Sequence, residues 1–507
     1  MVPAGIVTTR LRSWLTVLPD ELSLNRSLYA VTVAASAGLI WLAQWPPMAD
    51  MPQHVAQVAL LHDLLTGQSP WASEFRINPL TPYLIGYGLA LPLSFVFSAT
   101  TAVKIVLTGA FLAFVASLRQ LARETGSDER LDWLFIPAFF GFAYDWGFYT
   151  FLVACPLGVQ FIRYAWRHAI SRDIRSGLMV VGLGVALLFS HGLVFLFAGL
   201  IGGVSMLAGV RNRAELGRGT IPYLVLALAC LSHAVADRLA DPVTDLSGFQ
   251  WAADPLIRVN RILRAIQSPY NEAFLPLTLA FLAAPFLLGL RFDWSASKPL
   301  VVLLIVLMVA PFTALSTDFV YERFAIFVLP MFALSLKQSE QQPARQQLAG
   351  LAIIVAATWA GLGLHVLDIR AAAVEAAHFE RVLDAAEPGR RAARVTPNRY
   401  GQPPITSFYL PSWYEVEKRG LVEFNFAQFY PEVVRYSERT PTNGFVFDPR
   451  QLLFSWDDPH ARDFDYYFVR EDGGRLPPEF LDGAPCGLRL VVTSSPWSLF
   501  ERGTCKQ

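Results

Sequence analysis

Apolar residues gather into about a dozen runs along this chain, at 28–44, 80–98, 102–118, 133–143, 148–162, 177–190, 192–209, 221–235, 273–290, 299–316, 324–337 and 348–367. Several runs are shorter than the ~20 residues that a helix needs to cross lipid, so they continue into polar flanks or break inside the membrane. The first polar break is the most informative, reading Q-W-P-P-M-A-D-M-P-Q-H-V-A-Q from Gln44 to Gln57. Pro46-Pro47 cannot continue a helix, whereas Pro52 suits the first residue of a new one, where its missing N–H would be unpaired anyway. That helix carries Val55, Val58, Leu61 and Leu65 on one stripe, with Gln53, His54 and Gln57 off it. The pattern predicts a helix lying along a membrane surface. Asp50 and His54 stand four residues apart and so converge on one spot at the water–lipid boundary. An Asp just before a proline-opened helix is also a common cap.

Positive charge orients the runs. Arg119, Arg123 and Arg130, then Arg163, Arg167, Arg172 and Arg175, mark two inside loops; Arg211, Arg213 and Arg218, Arg291 and Lys298, and Lys337 with Arg345 mark three more. The intervening short connections are poor in Lys and Arg, as the outer side should be: the first outer loop 46–79, then 144–147, 190–191 and 317–323, while the long outer loop 236–272 carries arginines of its own. If both 80–98 and 102–118 crossed, the Arg119–Arg130 loop would land outside, so one of these two runs does not span. This predicts a cytoplasmic N-terminal segment 1–27 leading into the first run as an uncleaved anchor, and a multi-pass domain 28–367. It also predicts a soluble extracytoplasmic domain, 368–507. The last opens as a charged helix, 368–386, ending at Pro388-Gly389. Its expected strands are Ala393–Thr396, Leu421–Phe426, Tyr466–Arg470 and Leu488–Thr493, with Trp497–Glu501 closing a hairpin. The fold class expected is thus an all-α polytopic membrane domain of about 11–12 hydrophobic helices with a small C-terminal α/β module.

Composition agrees: 54% of the 507 residues are hydrophobic and only 16% charged, against about 25% charged in soluble domains. A net charge of zero gives no footprint for nucleic acid. Cys155 and Cys230 fall in apolar runs as packing residues; Cys486 and Cys505 lie in the polar tail, where an oxidising compartment would permit a disulfide. There is no Walker loop, G-x-S-x-G elbow, H-E-x-x-H or dinucleotide fingerprint, which removes most soluble enzyme classes.

Charges at the ends of spans are functional candidates because lipid penalises them. Asp145, in Y-D-W-G, either belongs to an aromatic-anchored turn or lines the same cavity as Asp50. His191, in S-H-G, either satisfies a carbonyl at a helix break or touches substrate. Glu322 and Arg323 are either a solvated pair of little consequence or a phosphate holder, since arginine matches phosphate oxygens in a bidentate way. Arg258, Arg261 and Arg264 recur every third residue on a basic amphipathic helix in the outer loop. They either snorkel onto anionic lipid or bind a lipid-linked phosphate.

The motifs D-M-P-Q-H (50–54), G-F-Y-T-F-L-V-A-C-P-L (147–157), F-S-H-G (189–192), Y-E-R-F-A-I-F-V-L-P (321–330) and D-Y-Y-F-V (465–469) resemble those of type-C (GT-C) membrane glycosyltransferases, and more closely a bacterial multi-pass branch. The resemblance implies inverting transfer of a sugar from a polyprenyl-phosphate donor to a lipid-linked or surface glycan acceptor, on the outer face of a bacterial inner membrane. Asp50 would be general base or ligand of a divalent cation, with His54 beside it. No second acid stands next to Asp50; His54 takes that place, which leaves the need for a metal open. Two non-enzymatic alternatives remain: a lipid or glycan carrier on the same scaffold, and a membrane assembly protein whose outer tail binds a partner.

Overall fold

A computed structural model describes residues 21–240, 248–251, 254–314, 317–339, 342–396, 405–437, 454–457, 459–471, 473–481 and 484–505. Most of the N-terminal segment 1–27 therefore lies outside the described residues, as do 241–247 and 252–253 of the second outer loop. Among the described residues three helices are long and apolar enough to cross a membrane: Ala99–Thr125, Arg213–Ala240 and Ala344–Asp384. Shorter apolar helices, including Leu84–Ser94, Ile174–Leu188, Gly192–Ala208, Phe274–Leu287 and Lys298–Val309, accompany them. Tyr149–Ser171 is the hub, packed against Ala99–Thr125, Ile174–Leu188 and Gly192–Ala208, and its first turns are wholly buried. Arg213–Ala240 does the reverse. It turns Leu224, Leu228, Leu231 and Val235 outward as one exposed stripe at helical spacing and keeps Gly219, Pro222 and Leu226 inside.

Some apolar runs do not become long helices. The run 133–143 folds into a 3-10 turn, Glu129–Leu134, and a short helix, Phe135–Phe139; 324–337 folds into a turn, Glu322–Phe327, and a short helix, Val328–Leu334. Both short helices are buried throughout. Leu84–Ser94 is a single eleven-residue helix, roughly 16 Å long and about half the hydrocarbon thickness. In contrast, the run 348–367 and the charged stretch after it fuse into one helix, Ala344–Asp384.

The basic clusters meet at one end of the bundle. Arg119 and Arg123 pair with Asp132, Arg163 and Arg167 with Glu124, and Lys337 donates to the Thr125 carbonyl. Toward the start of the same long helix, Lys104 donates to the Ala43 carbonyl at 2.6 Å. Arg123 and Lys104 are separated by roughly 28 Å along the helix. The C-terminal region carries a five-stranded sheet in the order Leu421–Val422, Arg391–Val395, Tyr466–Arg470, Trp497–Cys505, Cys486–Ser494. The first three strands are parallel and the last two antiparallel additions. A Cys486–Cys505 disulfide joins the ends of the outer hairpin.

The helix Met51–Thr66 starts where Pro52 predicts it, but its surroundings differ from the expected water–lipid surface. Of the apolar stripe Val55, Val58 and Leu61 are buried within the protein and Leu65 is exposed, and Gln53, His54 and Gln57 on the polar face are buried too. The C-terminal region covers that face. Gln53 donates to Ser412 Oγ and the Phe424 carbonyl, both at 2.7 Å, and accepts from the Phe426 N–H at 2.9 Å. Gln57 accepts from the Val434 N–H, also at 2.9 Å. Arg419 grips Asp63 at 2.7 Å, Trp45 stacks on Trp413, and Phe75–Ile77 pairs antiparallel with Val434–Tyr436. Amphipathicity marked a polar face correctly; what it faces is protein, because these side-chain amides match the open backbone groups of 424–434. The helix is a seam between the bundle and the C-terminal domain.

Candidate functional site

Asp50 is set at the start of the seam helix by a second loop lying against it. The Ala49 and Asp50 N–H groups donate to the carbonyls of Asp145 and Trp146, at 3.2 and 2.7 Å. This contact requires Gly147, whose φ is +85°. A Cβ there would stand 3.0 Å from the Met51 nitrogen and 3.2 Å from that of Asp50. Gly147→Ala is expected to lower stability by about 1–2 kcal/mol from the left-handed backbone alone. The clash should also push Asp50 out of place; thermal unfolding against wild type checks the first effect and a structure of the variant the second. The Asp50 carboxyl makes no helix-capping bond, unlike the capping alternative. Instead it accepts from Trp146. Only 8% of Asp50 is exposed. Burial pushes its carboxyl up to about 8, with Arg323 and the Trp146 bond holding it back from going higher.

His54, one turn on, donates its backbone N–H to the Asp50 carbonyl at 3.1 Å. Its ring lies among Tyr87, Tyr149 and Phe426. Nδ1 is 2.7 Å from the Tyr87 hydroxyl, which donates to Glu432 Oε2 at 2.5 Å. Burial first, and the Arg323 charge second, depress the His54 imidazole to about 3. Burial, the Arg323 charge and the His54 ring drive His191 well below the usual histidine range. His191 opens the helix Gly192–Ala208, accepting from the Leu193 N–H through Nδ1, and stacks on Tyr83. Its Nε2 is buried without a hydrogen-bond partner.

Arg323 therefore acts on Asp50, His54 and His191 together. Its guanidinium lies 3.5 Å from the Phe148 ring centre and donates to the Asp318 carbonyl. A second set of charges adjoins the first around Tyr270, whose hydroxyl is pushed up by burial and then by Asp145, Asp50 and Glu322, with Arg261 opposing. Asp145 accepts from Ser268 and is raised to about 8 by burial, with the nearby Asp368 adding to the rise. Glu322 is raised to about 7 by burial while Arg261 and Arg258 restrain it; Arg261 stands 3.9 Å away.

The three arginines of the helix Pro255–Ala265 do not form one basic face. Arg258 is buried, lies over the Tyr321 ring and donates to the carbonyls of Leu307 and Ala310 at the end of Lys298–Val309. Arg261 faces Glu322, and Arg264 pairs with Glu272. Leu256, Ile257 and Val259 are the large apolar side chains this helix exposes. Of the sequence candidates, then, Asp50, His54, Asp145, His191, Arg261, Glu322 and Arg323 come together; Arg258 is committed to a helix end and Arg264 to a surface pair.

Among the described residues no group of three or more His, Cys, Asp or Glu could hold a metal. Asp50 with His54 beside it does not by itself complete the shell of a divalent cation. Sequence reasoning missed Tyr87 and Glu432, and read Trp146 only as an interface anchor. The two tyrosines of the run 80–98, Tyr83 and Tyr87, were the available signal for Tyr87. Glu432, 382 positions after Asp50, is brought near by the pairing of Phe75–Ile77 with Val434–Tyr436. Burial and the Asp50 charge raise its carboxyl to about 8, with the Tyr87 bond opposing. No family model matches the chain, and no curated protein matches it.

Proposed function

We propose that the chain is a multi-pass membrane glycosyltransferase of the type-C kind, moving a sugar from a polyprenyl-phosphate donor to a lipid-linked or surface glycan acceptor. The observation that carries this reading is the convergence on one end of the bundle of a buried carboxyl, two neutral imidazoles and a cation from three separated stretches: Asp50 with His54, His191, and Arg323. Asp50 takes the proton of the acceptor hydroxyl as that oxygen bonds to the donor's anomeric carbon. The anomeric C–O bond to phosphate breaks, and the polyprenyl phosphate leaves with the electron pair. Arg323 meets the charge that develops on it. His54 orients the acceptor, and Arg261 holds Glu322 at the rim.

The bundle is read as crossing the membrane with its arginine-rich end inside and the Asp50 end outside, consistent with the positive-inside rule. The outward leucine stripe of Arg213–Ala240 suits lipid and would be costly in water. Leu84–Ser94 then serves as the run that does not cross, so the C-terminal domain lies outside with Asp50. Reconstituted protein supplied with a polyprenyl-phosphate sugar and a glycan acceptor should release polyprenyl phosphate as the acceptor gains the sugar. Chain that takes up and moves the lipid across the bilayer with the sugar intact would be a carrier instead.

A further inference from the structure

The imidazole of His54 is tied to the C-terminal domain through one hydroxyl. The Tyr87 O–H donates to Glu432 Oε2 at 2.5 Å, and the same oxygen lies 2.7 Å from His54 Nδ1. All three side chains are buried. The Glu432 backbone is clamped by the first outer loop: Asn78 donates its side-chain amide to the Glu432 carbonyl and its N–H to that of Val433, and Thr81 donates to that of Pro431. The helix bearing Tyr87 is fastened by Tyr149, which donates to the Gly86 carbonyl at 2.8 Å. These supports fix the geometry of the chain of contacts rather than leaving it to fluctuating rotamers.

A tyrosine hydroxyl has one proton to give. While that proton goes to the Glu432 carboxylate, Tyr87 has only lone pairs left for His54, so Nδ1 must carry the ring proton. We propose that Glu432, acting through Tyr87, is a positioning residue that holds His54 as the Nδ1-protonated tautomer, with Nε2 as a hydrogen-bond acceptor. The inference rests on the reading of His54 as the group that orients a hydroxyl-bearing acceptor: such a substrate offers a donor, and Nε2 receives it. It also makes the C-terminal domain part of the site, since bundle and sheet region each supply a member of the chain.

Nitrogen NMR of the full chain, labelled at histidine and held in lipid nanodiscs, reads this directly above pH 8, where Glu432 is ionised. Wild type should show His54 protonated at Nδ1. Glu432→Gln introduces an amide that donates to the Tyr87 oxygen, freeing the phenol proton for Nδ1 and moving the ring proton to Nε2. Tyr87→Phe should also perturb His54, while the His168 signal, set by its contact with Ser176, reports an intact fold. A wild-type ring protonated at Nε2 overturns the proposal, as does an Nδ1-protonated ring that neither substitution alters. If neither variant folds, the wild-type spectrum decides. The readout is a ring proton, so it can fail while transfer stands, and transfer can fail while it holds.

Discussion

Gln53→Leu is expected to loosen the C-terminal domain from the bundle and lower stability by several kcal/mol. Leucine keeps the volume of the side chain but strands three buried partners: the Phe426 N–H, the Phe424 carbonyl and the Ser412 hydroxyl. Each unsatisfied buried group costs about 1–3 kcal/mol, and Gln53, at 0% exposure, is shielded from bulk solvent. The neighbouring Gln57 bond to Val434 and the Asp63–Arg419 pair remain, so the expected product is a strained seam rather than an unfolded bundle. Limited proteolysis of 405–437 against the helical core, with thermal unfolding alongside, measures it. Unchanged protease resistance would mean that the seam does not depend on the helix's polar face.

Arg323→Met is expected to slow transfer by roughly 10²–10³-fold, the range seen when one preorganised charge-stabilising group is removed. It should also move the pH dependence. Asp50 must be ionised to accept a proton, and its folded pKa is about 8, so activity rises with pH through that value. Arg323 favours the carboxylate; without it Asp50 climbs further, and the rising limb shifts to higher pH. His54 and His191 lose a repelling cation, so their suppressed basicity partly recovers. A slower enzyme whose limb stays in place would mean that Arg323 meets substrate but not Asp50.

The sequence carried some of this and hid the rest for identifiable reasons. Local grammar was readable: Pro52 opened the seam helix within a residue of its observed start, and Tyr466–Arg470 is a strand with the expected ends. The strand expected at Leu421–Phe426 is only Leu421–Val422, because the backbone of Phe424 and Phe426 turns to bond Gln53. Hydropathy cannot distinguish lipid from protein as the apolar neighbour, which is why Phe135–Phe139 and Val328–Leu334 read like spans and fold as buried short helices. Nor can spacing along one helix foresee a partner from another. The even rhythm of Arg258, Arg261 and Arg264 suggested a shared face, yet each guanidinium finds a different partner. The gathering of Asp50, His191 and Arg323 rests on the packing of Tyr149–Ser171 against its neighbours, information spread over the whole bundle.

The central claim is that the carboxyl of residue 50 is the base of a sugar transfer. Its most direct measurement is polyprenyl phosphate release from a polyprenyl-phosphate sugar in proteoliposomes, comparing wild type with Asp50→Asn at matched protein levels. Asparagine keeps the shape and the Trp146 contact but cannot take a proton; the account predicts a loss of about 10²–10⁴-fold with thermal unfolding near that of wild type. Release at the wild-type rate from the folded variant would contradict it.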